Sequence, residues 1–81
     1  MRSVDEAARR EEDRRLRRLR VLVDTAAVVL RHRPLSRSEA ELLVADVRER
    51  ALTLFPDKGA TFDLIYGPRF RRLIEERFGP S

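Results

Sequence analysis

The sequence predicts an all-α protein: a long antiparallel helical hairpin with two short C-terminal helices packed across it, assembled as a dimeric four-helix-type bundle. Three observations carry this expectation. From Ser3 to Arg33 there is neither proline nor glycine, and Leu16, Leu19, Val23, Ala26 and Leu30 recur at spacings of three and four, the stripe of a helix-packing seam. A second apolar-periodic window, Ser36 to Phe55, lies between Pro34 and Pro56. The one stretch with strand-like composition, Thr61–Tyr66, finds no second strand in the chain to pair with.

The first helix opens on Ser3-Val-Asp-Glu6, the pattern of a capping box, with Asp5 and Glu6 suited to the positive end of the helix dipole. Its first half is almost all charge, and the charges are ordered. Asp5–Arg9, Glu6–Arg10, Glu11–Arg15 and Asp13–Arg17 each place the acid four residues before the base, the favourable orientation. This predicts a solvated helical arm over residues 1–18, continuous with the helix. The second half turns apolar on nearly all sides, with Val21 and Val28 opposite the main face and only Arg17, Arg20, Asp24 and Arg31 clearly polar. Asp24 pairs with Arg20 on this reading, and His32 with its arginine neighbours suits the negative helix end. Pro34 stops the helix.

The second helix begins at another capping box, Ser36-Arg-Ser-Glu39, with Leu35 placed for a staple onto Ala40. Ala40, Leu43, Val44, Val47, Ala51, Leu54 and Phe55 share its apolar face, and the short link makes helices one and two antiparallel. Pro56-Asp-Lys-Gly59 reads as a tight turn. Thr61 then caps a short helix to Tyr66, Gly67 ends it, and Pro68 opens a last helix closed by Gly79-Pro80. The expected bounds are 4–32, 37–55, 61–66 and 68–78. All five aromatics lie between Phe55 and Phe78, so residues 56–81 read as an aromatic lid over a 19–55 hairpin, within one 1–81 domain. The expected core is Leu19, Val23, Ala26, Leu30, Leu43, Val47, Leu54, Phe55, Phe62, Phe70, Leu73 and Ile74.

Size argues for a partner. An uninterrupted first helix spans roughly 44 Å, whereas the second offers about 28 Å of cover. Chains of 81 residues gain stability from disulfides, metals or oligomerisation, and with no cysteine and one histidine only oligomerisation remains. The expected assembly is a homodimer joined through Leu16, Leu19, Val23, Ala26 and Leu30.

Chemistry is thin. There is no Cys/His pair, no second histidine for a triad and no HExxH, and the glycines at 59, 67 and 79 form no phosphate loop. Adjacent carboxylates such as Glu11/Glu12 point about 100° apart on a helix and read as solvated faces. The chain is expected to be no enzyme and to use no cofactor or metal. Seventeen of the 18 basic residues are arginine and the net charge is +4. A GC-rich coding composition explains that without any function; phosphate recognition is the sharper alternative. The arm tempers it, because its acids are interleaved with its arginines at pairing distance. The longest apolar run, Ala26–Leu30, is far short of a membrane span and no signal peptide is visible, so a cytoplasmic protein with no membrane partner is expected. The functional expectation is a regulatory or scaffolding protein–protein interaction module. Its arm residues Arg10, Arg14, Arg15 and Arg18 contact another macromolecule, and nucleic acid is the alternative partner.

Overall fold

The structure, a computed structural model, describes residues 2–80, with side chains from Asp5 onward. Four helices and no strand occur among the described residues: α1 (Arg2–His32), α2 (Arg37–Leu54), α3 (Gly59–Ile65) and α4 (Gly67–Phe78). α1 runs unbroken through the charged half, as its lack of proline and glycine requires. The capping box predicted at Ser3 lies outside the described side chains.

α2 starts as its sequence dictates. The Glu39 amide donates to Ser36 Oγ at 3.1 Å, and the Ser36 amide donates to Glu39 Oε1 at 2.8 Å, so two otherwise orphaned amides are satisfied reciprocally. The Ser36 amide, and after it the Ser36 hydroxyl, favour the charged form and hold the Glu39 carboxyl below the usual glutamate range. Leu35, placed for the staple, is half-buried against the core cluster to which the buried Ala40 belongs.

The chain then folds back twice. The Lys58 amide bonds to the Phe55 carbonyl across the Pro56–Asp57 turn at 3.1 Å, and α3 begins at once, two residues before the expected Thr61 cap. Thr61 therefore caps nothing. The Phe62 amide closes the first turn onto the Lys58 carbonyl instead, which carries the Phe62 ring into the core. Tyr66 ends α3 and precedes α4 in an ordinary right-handed conformation (φ −101°, ψ −24°), so the change of direction needs no left-handed residue. Gly67 is not the terminator the sequence suggested.

α1 and α2 are antiparallel. α4 lies against both and runs parallel to α1, with Arg69 beside Asp24 and Arg77 beside Leu30 and Arg33. The core joins Val23, Ala26, Ala27 and Leu30 of α1 to Ala40, Val47 and Ala51 of α2, and to Phe62, Phe70, Leu73 and Ile74. Eight of the twelve expected core residues are buried there. Leu19, Leu43, Leu54 and Phe55 are only half-buried, while three alanines outside the expected core, Ala27, Ala40 and Ala51, are buried. Small side chains at the α1–α2 contact let the helices approach closely. Large ones at its open end are left with nothing above them. Phe70 is fully enclosed, and its ring stacks at 6.4 Å on Phe62, which in turn meets Tyr66 at 5.2 Å.

Two arginines tie the ends together in a way the sequence did not announce. The Arg77 guanidinium donates to the Leu30 carbonyl at 2.7 Å and to the Arg33 carbonyl, satisfying the last turn of α1, the place expected for His32. Arg37 donates to the Gly79 carbonyl at 2.6 Å, pinning the end of α4 to the start of α2. Gly79 itself sits at φ +89°, ψ 168°, a region open essentially to glycine alone. Gly79→Ala is therefore expected to lower stability by about 1–3 kcal/mol. Gly67→Ala, at ordinary φ with nothing within 4 Å of an added Cβ, should be neutral or slightly stabilising. Thermal melts of the two variants give the comparison; equal melting points would contradict it.

Candidate functional site

The feature that folding does not account for is the first half of α1. At about 1.5 Å per residue its 31 residues extend roughly 46 Å, and they set the long axis of a molecule measuring 53 × 23 × 16 Å. The radius of gyration is 15.1 Å, against about 12 Å for a compact domain of this length. The chain exposes 6300 Å², where a compact monomer of its mass exposes about 5,000 Å². From Asp5 to Arg18 every side chain is exposed except the half-buried Glu11, and burial begins at Leu19.

Two of the four expected ion pairs form along this arm: Glu6–Arg10 at 3.8 Å and Glu11–Arg15 at 3.4 Å. Arg14 also reaches Glu11, at 3.1 Å. Asp5–Arg9 and Asp13–Arg17 do not pair. Among the described side chains Arg9, Glu12, Asp13, Arg17, Arg18 and Arg20 have no charged partner, so the arm's charge is less neutralised than its spacing implies. Of the four arginines expected to contact a macromolecule, Arg10, Arg14 and Arg15 are engaged within the arm and Arg18 is open to solvent. Arg10, Arg14 and Arg18 make a single row at i, i+4 spacing.

Where the arm leaves the bundle an apolar groove of about 280 Å³ opens. Leu16 and Leu19 form its α1 wall, and Leu52, Phe55, Ile65 and Tyr66 form the wall opposite. Phe62 underlies it, and Glu12 and Lys58 stand at the rims. Leu16 and Ile65 are 44% and 57% exposed, which is high for large apolar side chains facing one another across a cleft. Sequence periodicity marked Leu16, Leu19 and Phe55 and places Phe62, Ile65 and Tyr66 on one side of the short third helix, but that this side faces Leu16 depends on the turn at Pro56. On the Arg10–Arg14–Arg18 row, by contrast, the helix surface points roughly half a turn away from the groove.

The five residues expected to meet a second copy divide here. Val23, Ala26 and Leu30 are 1%, 4% and 1% exposed within the single chain, consumed by α2 and α4, and offer no surface. Leu16 and Leu19 alone reach the groove. The physical reason is α4, which lies along α1 and covers the stripe that the hairpin by itself leaves open. Val21 and Val28, 65% and 55% exposed, lie on a solvent face.

Elsewhere the charged groups have structural explanations. Asp24 contacts Arg69 at 3.9 Å and not Arg20. Arg48 grips Asp63 with two hydrogen bonds of 2.7 and 3.0 Å, tethering α3 to α2. These bonds lower the Asp63 carboxyl below its ordinary range and raise the Arg48 guanidinium. A carboxyl depressed in the folded state stabilises above its unfolded pKa and loses that contribution as pH falls through the lowered folded value. Acidification should therefore loosen α3 through this pair. Amide exchange over residues 59–65 should quicken at acid pH in the native chain and be already quick, with a flatter pH profile, in Asp63→Asn. An identical acid response in both would show the pair is no tether. Among the described residues no helix is long and apolar enough to cross a membrane, and no three His, Cys, Asp or Glu side chains gather as a metal site. No protein-family model, curated protein or solved structure matches the chain.

Proposed function

We propose that the chain is a non-enzymatic helical interaction module with a regulatory or scaffolding role, working as a homodimer in the cytoplasm and engaging another macromolecule through its charged arm. One observation supports this reading above the rest: from Asp5 to Arg18 the longest helix buries no side chain, and an open apolar groove adjoins the point where it departs. Apolar surface beside a charged rim is the composition of a recognition surface, in which burial supplies affinity and charge supplies register. The excess of roughly 1,300 Å² over a compact monomer of this mass exceeds the ~800 Å² per partner that a stable interface buries.

The test is sedimentation equilibrium at micromolar concentration, where twice the 9.5 kDa chain mass is expected. It is joined by charge reversals on the arm. With a protein partner, both Glu11/Glu12 and Arg14/Arg18 reversals weaken binding. A monomer whose arm reversals alter no interaction would remove the proposal. Nucleic acid is the second reading, favoured by the unpaired Arg17, Arg18 and Arg20. On that reading only the arginine reversals weaken binding to a duplex DNA or RNA probe, and affinity falls steeply with salt.

A further inference from the structure

We infer that the groove is filled by the α1 arm of a second copy, laid antiparallel along the first, so that each arm seats in the other's groove. This rests on the homodimer reading above and names its interface. The first argument is charge. Residues 5–13 carry five acids against two arginines, whereas residues 14–20 carry five arginines and no acid. Each arm is thus negative toward its start and positive toward the bundle. Two arms in parallel set like against like; two arms antiparallel set each negative block against a positive one, twice. A self-complementary patch of this kind is what a two-fold interface requires. Among the described arm side chains, the unpaired Glu12 and Asp13 lie in the acidic block and the unpaired Arg17, Arg18 and Arg20 in the basic one, with Arg9 the one unpaired base on the acidic side.

The second argument is the helix face. At 100° per residue, Asp5, Ala8, Glu12, Arg15, Leu16 and Leu19 share the side of α1 that borders the groove, and Glu12, Leu16 and Leu19 line it. With the two-fold axis between Asp13 and Arg14, Ala8 falls opposite the partner's Leu19 and Glu12 opposite the partner's Arg15. In that register Asp5 faces the partner's Leu22, and the partner's Arg20 lies two residues away, about 3 Å along the helix axis and within reach of a long arginine side chain. Ala8 has the small side chain needed for one helix to sink between Leu16 and Ile65 of the other copy. The Arg10–Arg14–Arg18 row then remains outward in the dimer, free for a further partner.

The experiment is charge complementation in the full-length chain. Asp5→Arg/Glu12→Arg makes the arm uniformly basic in its seam, and Arg15→Glu/Arg20→Glu makes it acidic. Each variant alone should self-associate at least tenfold more weakly than the native chain by sedimentation equilibrium, with helicity by circular dichroism retained. An equimolar mixture should recover a 1:1 dimer. Because the chain has no cysteine, orientation is read by cross-linking. Chains bearing Ala8→Cys and Leu19→Cys should form the mixed disulfide in preference to either homodisulfide. A native dimer indifferent to both reversals would overturn the arm pairing while leaving dimerisation through another face. A native monomer whose arm still binds a macromolecule would overturn it while sparing the interaction module. Dominant homodisulfides would overturn the antiparallel orientation.

Discussion

Phe70→Ala is expected to abolish the folded state at physiological temperature or leave it barely populated. The Phe70 ring has no exposure and stacks on Phe62, so truncation removes a large buried surface and leaves a cavity between three helices. Phe→Ala in a core costs about 3–5 kcal/mol, and a domain of this size holds only about 4–12 kcal/mol in total. The loss is therefore comparable with the whole stability. Phe70→Leu, which keeps much of the volume, should retain a cooperative transition at a reduced melting temperature. A Phe70→Ala protein that melts cooperatively within a few degrees of the native chain would mean that α4 is not part of the core.

Val23→Glu should unfold the chain itself. Val23 is 1% exposed at the meeting of α1 with the rest of the bundle, and no basic side chain is buried near it to pair with a carboxylate, since no charged residue is buried among those described. Burying an unpaired carboxylate is costly enough that the group protonates or the structure opens. Leu16→Glu, one seam position at the groove and 44% exposed, provides the contrast. It should leave circular dichroism and the melting transition nearly intact while weakening self-association. Sequence alone places Val23 and Leu16 on one continuous stripe and expects the same result from both. If both variants unfold, Leu16 belongs to the core. If both stay folded, the α1–α4 packing described above is incorrect.

The contrast shows how far local pattern reaches. Periodicity over residues 16–30 reports that a face is apolar, not which neighbour covers it. Val23, Ala26 and Leu30 look like an interface until α4 lies along them, and α4 is remote in sequence. The same holds for Asp24: its sequence neighbour Arg20 is one turn away, yet Arg69 approaches it because α4 runs parallel to α1. Arg77 is invisible as a cap for the same reason, being 44 and 47 residues from the carbonyls it serves. The groove needs both long-range events at once, the turn at Pro56 that raises α3 and the continuation of α1 past the bundle, so the sequence marks the residues of each wall and leaves their meeting unread.

What the sequence by itself determined is local and one-dimensional. The capping box at Ser36 and Glu39, the proline stops and the three- and four-residue apolar spacing are properties of neighbouring residues, and hydrogen bonding within a helix satisfies them without reference to the rest of the chain. They settled that this is an all-α protein, the antiparallel sense of its hairpin and most of its core. The tertiary structure alone decided which half of α1 is spent inside the chain and which half is left over. That choice depends on where α4 comes to rest, and α4 is placed by packing of the Phe70 and Phe62 rings and by the Arg77 and Arg37 ties across the fold. These are contacts between surfaces distant in sequence, whose energy comes from excluding water over an area that exists only once the helices have met.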